Sequence, residues 1–287
     1  KKIVHYGKAK GVKIILWTSG WALRKDPKQA IAGFKKLGVG GVMLDFINRD
    51  DAIAQKFIEN FVAEAARHEL VVLLHGVGKP AGLEIRYPNL IAVEAGLGHE
   101  YSRASHDVTP AHKLHLAQIR SLQGHFDYHG GSMINEQPDR FQPKRPVVPT
   151  QGTRANELAT RLLYPSPLQV LAGDPEDYLG DPRMKEFYFG MPTTWDETRV
   201  VAAEFGKYLV LARRKGRNWF LAGMNGTSTE LNLALNLSFL PKERALVKIY
   251  ADTPLSDQIG SDYRYSEVGS VFDEPLSIKM ARNGGWV

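Results

Sequence analysis

Apolar residues follow one pattern over the first two thirds of the chain and another over the last third. Up to about residue 190, short apolar runs alternate with helix-length amphipathic stretches, which is typical of βα units around a parallel sheet. After Pro192 the apolar residues fall in short or alternating runs, and turn signals such as Lys215-Gly216 separate them. The pattern therefore predicts an α/β domain over residues 1–192 and a small all-β domain over residues 193–287.

The predicted strands are short apolar runs, and the predicted helices show the 3.6-residue period of an amphipathic helix. In the first domain the strands are predicted over Lys13–Trp17, Gly41–Phe46, Leu70–His75, Leu90–Glu94, Gly124–Tyr128 and Gln169–Ala172. The helices are predicted over Pro27–Leu37, Asp51–Arg67, His112–Leu122 and Thr153–Tyr164. In the second domain the strands are predicted over Tyr208–Ala212, Trp219–Gly223, Leu231–Leu237, Ala245–Tyr250 and Leu276–Met280.

The number of βα units limits the choice of architecture for the first domain. About six units do not close an eight-unit barrel, and the domain is shorter than the ~250 residues that such a barrel usually takes. Two arrangements fit this count: an open, doubly wound sheet, or the later part of a barrel whose first units lie outside this sequence.

Composition excludes several functional classes. With 43% hydrophobic and 24% charged residues, the chain is an ordinary globular protein. The net charge of +6 is small and the basic residues are scattered, so no nucleic-acid partner is predicted. The absence of cysteine excludes disulfides, thiolate metal sites and a cysteine nucleophile. Every apolar run is shorter than the ~20 residues that span a bilayer, so no membrane span is predicted.

Carboxylates stand at the predicted strand ends, where parallel α/β folds bind their ligands. Asp45 closes one apolar run, and it is a candidate nucleophile or general base; the alternative is a cap for the following helix. Glu94 closes another run, and Glu100 follows six residues later across a loop. These two glutamates are candidates for a calcium site or a general acid, and exposed loop glutamates are the alternative.

Histidines are concentrated in the middle of the chain, but they do not form a recognisable zinc motif. Six of the nine lie between His99 and His129, with His112 and His115 positioned to share a helix face. A solvated helix is the preferred interpretation over a zinc site. His75 ends a predicted strand by itself, and a hydrogen-bonded structural histidine is the simplest interpretation of that position.

Several motifs in order along the chain carry a resemblance to a known family. They are Leu44-Asp45-Phe46, Arg49-Asp50-Asp51, His75-Gly76, Lys79-Pro80, Tyr87-Pro88-Asn89, Gly98-His99-Glu100-Tyr101, Asp127-Tyr128, Gly152-Thr153-Arg154, Ser166-Pro167-Leu168-Gln169, Pro192-Thr193-Thr194-Trp195-Asp196-Glu197 and Gly284-Gly285-Trp286. Their order and spacing resemble glycoside hydrolase family 97, the calcium-dependent α-glycosidases. The resemblance runs nearly from end to end.

The resemblance implies a fold in which this chain is one part of a longer protein. Family members carry an N-terminal β-sandwich, a (β/α)8 barrel and a small C-terminal β-sandwich. Residues 1–192 then correspond to the later units of a partial TIM-type barrel, and residues 193–287 to the C-terminal β-sandwich. The expected partner is the missing N-terminal segment of the same protein, and the expected location, by family habit, is periplasmic or secreted.

The resemblance also implies a mechanism. Retaining members, known chiefly as α-galactosidases, have an aspartate at the position of Asp45, whereas inverting members have a base carboxylate at the position of Gly76. The chain therefore resembles the retaining branch, with Asp45 as nucleophile and Glu100 as general acid and base. In retaining glycosidases the two carboxyl groups lie roughly 5–5.5 Å apart.

Binding residues and a cofactor follow from the same resemblance. Glu94 and Glu100 are the expected Ca²⁺ ligands, and His75, Lys79 and Asp127 are the expected sugar contacts. The expected function is a retaining exo-α-glycosidase that hydrolyses terminal α-linked sugars of an oligosaccharide or aryl glycoside, with α-galactoside as the first candidate substrate.

Three alternatives stay open. Residues 125–131 and Gly78 depart from the family's usual pattern beside the expected pocket, so an α-glucosidase or a pentopyranoside-cleaving enzyme remains an alternative. A third alternative is a non-catalytic carbohydrate-binding or assembly subunit.

Overall fold

The structure is a computed structural model, and it describes residues 1–270 and 275–287. The described chain forms two compact units. The first unit comprises Lys1–Gly96, Gln123–Asp127 and Ser166–Leu168, and the second comprises Leu97–Leu122, Tyr128–Pro165 and Gln169–Val287. The domain boundary predicted between residues 192 and 193 stays a prediction; it falls between the last helix and the first long antiparallel strand.

The first unit is built on a parallel sheet of four strands in sequential order, with helices between them. The strands are β1 (Ile15–Ser19), β2 (Gly41–Asp45), β3 (Val71–Leu74) and β4 (Leu90–Val93). The helices are α1 (Lys2–Ala9), α2 (Gly20–Leu23), α3 (Pro27–Leu37), α4 (Ala52–Arg67) and α5 (Leu83–Arg86). Two helices and four strands that the sequence predicted are thus confirmed, with ends that shift by two residues or fewer.

Capping residues fix where the two long helices begin. The Asp26 side chain accepts a hydrogen bond from Gln29 N at 2.9 Å, and Pro27 occupies the first turn of α3. Asp51 accepts hydrogen bonds from Ile53 N and Ala54 N at the start of α4. These caps satisfy amides that would otherwise lack an intrahelical partner.

The two faces of the parallel sheet differ sharply in character. Alternate residues such as Val42, Leu44 and Val72 lie in the apolar core, together with Ile58 and Phe61 of α4. The residues between them point to the opposite face because side chains alternate along a strand. That opposite face carries Trp17 on β1, Met43 and Asp45 on β2, and Leu73 on β3, with His75 next along the chain after β3. The polar side chains therefore gather at the carboxyl edge of one face.

Two of the predicted strands are wrong, and the count of about six βα units is not met in the described part of the chain. Residues 124–128 form no regular strand; the first of them, Gly124, has a φ of 118°, and the next residue after them, His129, has a φ of 61°. Residues 169–172 also form no strand, and Pro165 and Pro167 just before them lack the N–H that a ladder needs. The partial barrel stays a prediction.

The second unit contains four α-helices, two short 3₁₀ helices and ten strands within the described residues. The helices are α6 (Pro110–Gln118), α7 (Arg154–Leu163), α8 (Pro175–Leu179) and α9 (Pro182–Gly190), with 3₁₀ turns at His99–Arg103 and Arg120–Gln123. The strands are β5 (Asn135–Glu136), β6 (Thr150–Gln151), β7 (Glu197–Glu204), β8 (Tyr208–Lys215), β9 (Asn218–Asn225), β10 (Leu231–Leu235), β11 (Ala245–Ala251), β12 (Arg264–Ser270), β13 (Leu276–Met280) and β14 (Gly285–Trp286).

Most of these strands join one antiparallel sheet, and its order departs from the order of the sequence. The six-stranded sheet runs β12-β11-β14-β9-β8-β7, while β10 pairs with β13 in a separate ladder. The two-residue strand β14 lies between β11 and β9, with Trp286 opposite Ala251 and Gly223. Gly285 packs so closely on α7 that an added Cβ would lie 2.5 Å from Asn156 N.

The prediction of a C-terminal all-β domain is confirmed as an antiparallel sheet, whereas the sandwich arrangement stays a prediction. The turn predicted at Lys215-Gly216 is also confirmed, since β8 ends at Lys215 and the antiparallel β9 begins at Asn218. The solvated helix predicted near His112 is wrong in one respect. Lys113 and Leu114 of α6 are fully buried, because this helix packs against strands of its own unit.

No helix in the described residues is long and apolar enough to span a membrane.

Candidate functional site

Asp45 is held at both of its carboxylate oxygens. It is the last residue of β2, and Phe46 N donates a hydrogen bond of 2.6 Å to its Oδ1. The indole Nε1 of Trp17, from β1, donates a hydrogen bond of 2.9 Å to its Oδ2. The side chain is partly exposed, so a ligand can reach it from the carboxyl edge of the sheet. This placement suits a nucleophile or a general base.

Gly76 leaves the space beside Asp45 without a side chain. A Cβ built there would lie 2.9 Å from Asp45 Oδ1 and 2.9 Å from Phe46 N. Gly76 also has a φ of 52°, in the left-handed region that glycine adopts at low cost. Its carbonyl accepts a 2.6 Å hydrogen bond from Asn48 N, which ties the loop after β3 to the loop after β2. Any larger residue here would press on the Asp45 carboxylate.

His75 lies between two carboxylates, at the end of β3. Its Nε2 is 3.1 Å from Asp127 Oδ2, and its Nδ1 is 3.6 Å from Glu94 Oε2. The same Glu94 oxygen accepts a hydrogen bond of 3.0 Å from Gly76 N. Asp127 N in turn donates to Val93 O, which places this residue beside β4. Asp45, His75, Glu94 and Asp127, together called the strand-end cluster, thus lie in the first unit.

The carboxylates favour a charged imidazolium at His75. Burial opposes the charge, since only 3% of His75 is exposed. The hydrogen bond with Asp127 and the charges of Glu94, Asp127 and Asp45 outweigh this, and they raise the pKa of His75. His75 and Asp127 are both almost fully buried, and their side chains lie within hydrogen-bond distance of each other.

The remaining predicted site residues lie outside the strand-end cluster. Lys79 is exposed on the loop after β3. Glu100 belongs to the second unit, in the first turn of the 3₁₀ helix His99–Arg103, where its Oε2 lies 3.8 Å from Arg103 Nη2. The structure therefore brings together four of the six predicted residues within one unit.

Trp17 is a member of the site that the sequence analysis did not identify. The tryptophan stands inside an ordinary apolar run, and its hydrogen bond to Asp45 joins residues 28 positions apart. The alternation of side chains along a strand could have pointed to it. Trp17 pairs with Met43 on the neighbouring parallel strand, and Asp45 lies two residues after Met43, so Trp17 and Asp45 share one face of the sheet.

A second polar cluster also went unrecognised, in the interior of the second unit. Lys113 Nζ lies 3.4 Å from Glu157 Oε2, and Thr150 Oγ1 donates to the same oxygen at 3.0 Å. Glu157 Oε1 accepts from Gly131 N at 2.7 Å and lies 3.8 Å from His99 Nδ1. Lys113, Thr150, Glu157 and His99 are called the interior cluster below. It is fully buried, which suits a structural network.

Trp195, which belongs to the motif Pro192–Glu197, packs within the second unit. The Arg213 guanidinium lies 5.7 Å from its ring, and Phe220 meets it edge-on at 5.3 Å.

Comparison with known proteins identifies relatives of both ends of the chain. The family described as "Glycoside hydrolase 97" matches residues 1–96, and the one described as "Glycosyl-hydrolase 97 C-terminal, oligomerisation" matches residues 194–287. The chain is 31% identical, over 100% of its length, to a retaining alpha-galactosidase of Bacteroides thetaiotaomicron, and it covers 43% of that protein. It is 30% identical, over 99% of its length, to a probable retaining alpha-galactosidase of Streptomyces bingchenggensis, and it covers 42% of that protein.

A solved structure supports the same relationship. A beta-arabinopyranosidase superposes with a TM-score of 0.84 and 27% identity, over 99% of this chain and 47% of that chain. The chain thus spans less than half the length of each of these relatives. The matches at its two ends concern one and the same family, and the chain belongs to glycoside hydrolase family 97.

Proposed function

We propose that this chain carries the reacting carboxylates of a retaining exo-α-glycosidase, with terminal α-galactosides as its substrates. The observation that carries the proposal is the combination of an aspartate at position 45 with a glycine at position 76 beside it. Asp45 stands at the carboxyl end of β2 with both oxygens hydrogen-bonded, and the neighbouring position is Gly76, where a side chain would meet Asp45. Asp45 is therefore the nucleophile of this proposal.

The proposed reaction is a double displacement. An Asp45 oxygen forms a bond to the anomeric carbon while the glycosidic C–O bond breaks, and the leaving oxygen takes the proton of Glu100. Water then gives a proton to Glu100 and attacks the anomeric carbon, and the ester bond to Asp45 breaks. Two inversions leave the sugar with its original α configuration.

His75 and Asp127 give this site a fixed charge pattern. The raised pKa of His75, caused by the carboxylates that outweigh its burial, favours a cation beside the carboxyl edge of the sheet. We assign to the pair the role of holding the sugar-binding surface in place. Lys79, being exposed and flexible, is the proposed donor to a sugar hydroxyl.

Calcium is the proposed cofactor, with Glu94 and Glu100 as its ligands in this chain. The donors fit the ion in kind, since carboxylate oxygens are the ligands that Ca²⁺ prefers. When bound, the ion would polarise and hold hydroxyl or leaving-group oxygens of the substrate. Glu94→Gln and Glu100→Gln are each expected to lower calcium affinity at least tenfold in calorimetry of the full-length protein. Glu69→Gln, an exposed change in the same unit as Glu94, is the control.

The substrate assignment is tested by the first sugar released. The full-length protein is incubated with aryl α-galactoside, and NMR observes which anomer forms before mutarotation. An α product supports double displacement, whereas a β product means inversion and rules out Asp45 as nucleophile. Aryl α-glucoside serves as the comparison substrate, and calcium chelation is expected to abolish turnover.

The nucleophile is tested by substitution. Asp45→Asn is expected to reduce turnover more than 10⁴-fold while galactose still binds, because the carbonyl oxygen of asparagine is a poor nucleophile. Asp50→Asn, exposed in the same loop, is the control and is expected to keep turnover within about twofold. Hydrolysis that survives in Asp45→Asn would reject Asp45 as the nucleophile, whereas absence of hydrolysis in the parent protein would favour a non-catalytic carbohydrate-binding subunit.

A pentopyranoside is the second candidate substrate, and the solved beta-arabinopyranosidase relative favours it. A β-L-arabinopyranoside has the ring hydroxyl configuration of an α-D-galactopyranoside without the hydroxymethyl group. The ratio of kcat/KM for the two aryl glycosides decides between them, since a pocket built for the pentopyranoside excludes the hydroxymethyl group of the galactoside. The periplasmic or secreted location remains a prediction.

A further inference from the structure

We propose that Trp17 is a positioning residue for the nucleophile: its indole N–H fixes the plane of the Asp45 carboxylate for attack. The inference rests on the proposed function, since it needs Asp45 to be the attacking group. It goes beyond that function because it assigns a role to a residue on a different strand.

The need for such a residue follows from the chemistry of an aspartate side chain. The final torsion of aspartate has a broad, roughly two-fold energy profile, so hydrogen bonds decide how the carboxylate plane is turned. A nucleophile gains much of its rate from being held in a near-attack geometry. Trp17 Nε1 supplies one of these hydrogen bonds at 2.9 Å to Oδ2, and Phe46 N supplies the other at 2.6 Å to Oδ1.

The two residues that donate these hydrogen bonds, Trp17 and Phe46, also contact each other. The ring of Trp17 meets the ring of Phe46 edge-on, with centroids 5.7 Å apart and planes at 81°. Phe46 has a φ of 57°, a left-handed backbone that an aromatic residue adopts only when its surroundings impose it. The amide of this residue is the one that donates to Oδ1. A strained residue, an aromatic contact and two hydrogen bonds therefore all act on one carboxylate.

Exposure explains why the tryptophan matters to the reaction rather than to folding. Trp17 is 54% exposed, so it contributes little to the core. In water its hydrogen bond to Asp45 competes with solvent. A bound sugar that excludes water from this edge would strengthen the bond at the moment when the nucleophile must be aligned.

A matched pair of substitutions tests the inference. Trp17→Phe keeps an aromatic ring and removes the N–H donor. Trp21→Phe makes the same change at an equally exposed tryptophan, 51% against 54%, which packs against the Arg24 guanidinium at 5.2 Å. Thermal unfolding of both variants should match the parent protein.

The kinetic result expected for Trp17→Phe is a selective loss in the first chemical step. With aryl α-galactosides, kcat/KM is expected to fall about 10- to 100-fold, the range for losing a hydrogen bond to a charged group. The inhibition constant of galactose should stay within about twofold, because galactose binds without being attacked. Trp21→Phe should change neither quantity. A Trp17→Phe variant that keeps the parent kcat/KM, or that loses rate and galactose binding equally, overturns the positioning role.

A spectroscopic measurement keeps the inference testable without turnover. In proton–nitrogen NMR of the full-length protein, the Trp17 indole signal is assigned by its loss in Trp17→Phe. Asp45→Asn is expected to move this signal, because the charged acceptor is replaced by a neutral amide, and the Trp21 signal should stay in place. A Trp17 signal that is unchanged in Asp45→Asn overturns the inference.

Failure of the inference and failure of the proposed function give different results. A fluorinated galactosyl fluoride should label Asp45 of the parent protein, as seen by mass spectrometry of its peptides. Labelling of Asp45 with no effect of Trp17→Phe leaves the function standing and rejects the role of Trp17. Absence of labelling and of turnover in the parent protein rejects the function, and the inference with it.

Discussion

His75 and His99 are both almost completely buried beside carboxylates, yet their protonation is driven in opposite directions. In the strand-end cluster, Asp127 and Glu94 flank His75, and together with Asp45 they raise its pKa although burial opposes the charge. In the interior cluster, burial lowers the pKa of His99. Its ring nitrogens lie 3.0 and 3.1 Å from the carbonyls of His129 and Pro149.

The difference lies in how the neighbouring carboxylate is compensated. Glu157, the carboxylate beside His99, already interacts with the buried Lys113 ammonium, Gly131 N and Thr150. These donors outweigh burial and lower the pKa of Glu157, so this carboxylate keeps its charge. The pKa of His99 is nevertheless lowered, by burial first and also by the neighbouring Lys113 ammonium, which disfavours a second cation. In the strand-end cluster, by contrast, Asp127, Glu94 and Asp45 outweigh burial and raise the pKa of His75. A buried carboxylate balanced by a buried lysine is typical of a structural core.

The largest expected effect comes from breaking the balance of the interior cluster. Glu157→Gln leaves the Lys113 ammonium buried without its counter-charge, which is expected to destabilise the protein by about 3–5 kcal/mol. Urea unfolding of the full-length protein measures this. The double variant Lys113→Met/Glu157→Gln removes the orphaned charge while an acceptor for Gly131 N remains, and it should recover more than half of the loss. A double variant as unstable as the single one would show that the pair is not a charge-compensated unit.

The second largest expected effect concerns the carboxyl group of Asp252, which is mostly buried. Burial raises its pKa to about 6, although Ala281 N and Gly285 N donate to its Oδ2 at 2.9 and 2.8 Å. A raised acid pKa stabilises the fold below the unfolded value of 3.8, and this contribution is lost as the pH rises through about 6. The loss is at most about 3 kcal/mol between pH 4 and pH 7. Asp252→Asn should remove this part of the pH dependence in urea unfolding; an unchanged slope would assign it to other groups.

The third effect tests the crowded edge of the strand-end cluster. Gly76→Ala places a methyl group 2.9 Å from Asp45 Oδ1 on a backbone with φ of 52°. We expect a loss of about 1–3 kcal/mol in stability and a fall in kcat of more than tenfold. Gly11→Ala is the control, since Gly11 has a φ of 71° but nothing within 4 Å of an added Cβ. Equal losses in both variants would mean that the backbone alone, and not the contact with Asp45, sets the requirement for glycine.

The smallest expected effect is the difference between the pKa values of His75 and His99, which NMR can measure. In NMR of protein with isotope-labelled histidine and calcium removed, His75 should titrate above 6.5 and His99 below it. His75 then adds stability below pH 6.5 that is lost as the pH rises through its raised pKa, whereas His99 removes stability as the pH falls below 6.5. Asp127→Asn should lower the pKa of His75 and leave that of His99 unchanged. Parallel titration of the two rings would contradict the contrast between the clusters.

The sequence predicts elements well where local signals agree. Pro27–Leu37 has an aspartate cap, a proline in its first turn and a terminal glycine, and the structure has a helix with those same ends. Leu276–Met280 is likewise confirmed without a shift. For the helix, the residues that set the boundaries are neighbours along the chain.

Prediction fails where the deciding contact is distant. β14 has two residues and no strand signal of its own, because its pairing depends on residues 223–224 and 251. Lys113 lies in an ordinary amphipathic stretch, and only Glu157, 44 positions away, explains its burial. The same holds in the candidate site: strand ends pointed to Asp45, His75 and Glu94, but not to the indole that holds Asp45.

The position of β14 has a consequence for how the protein is made. Because Gly285–Trp286 lies in the middle of the six-stranded sheet, the two halves of that sheet stay unjoined until these residues have left the ribosome. Strands β7 to β9 can form early as hairpins, but their partnership with β11 waits for synthesis to reach position 286. The unfinished sheet then exposes an open edge at β9 during translation. We therefore expect the antiparallel domain to acquire its final order in one cooperative step, once residues 285–286 are available for pairing.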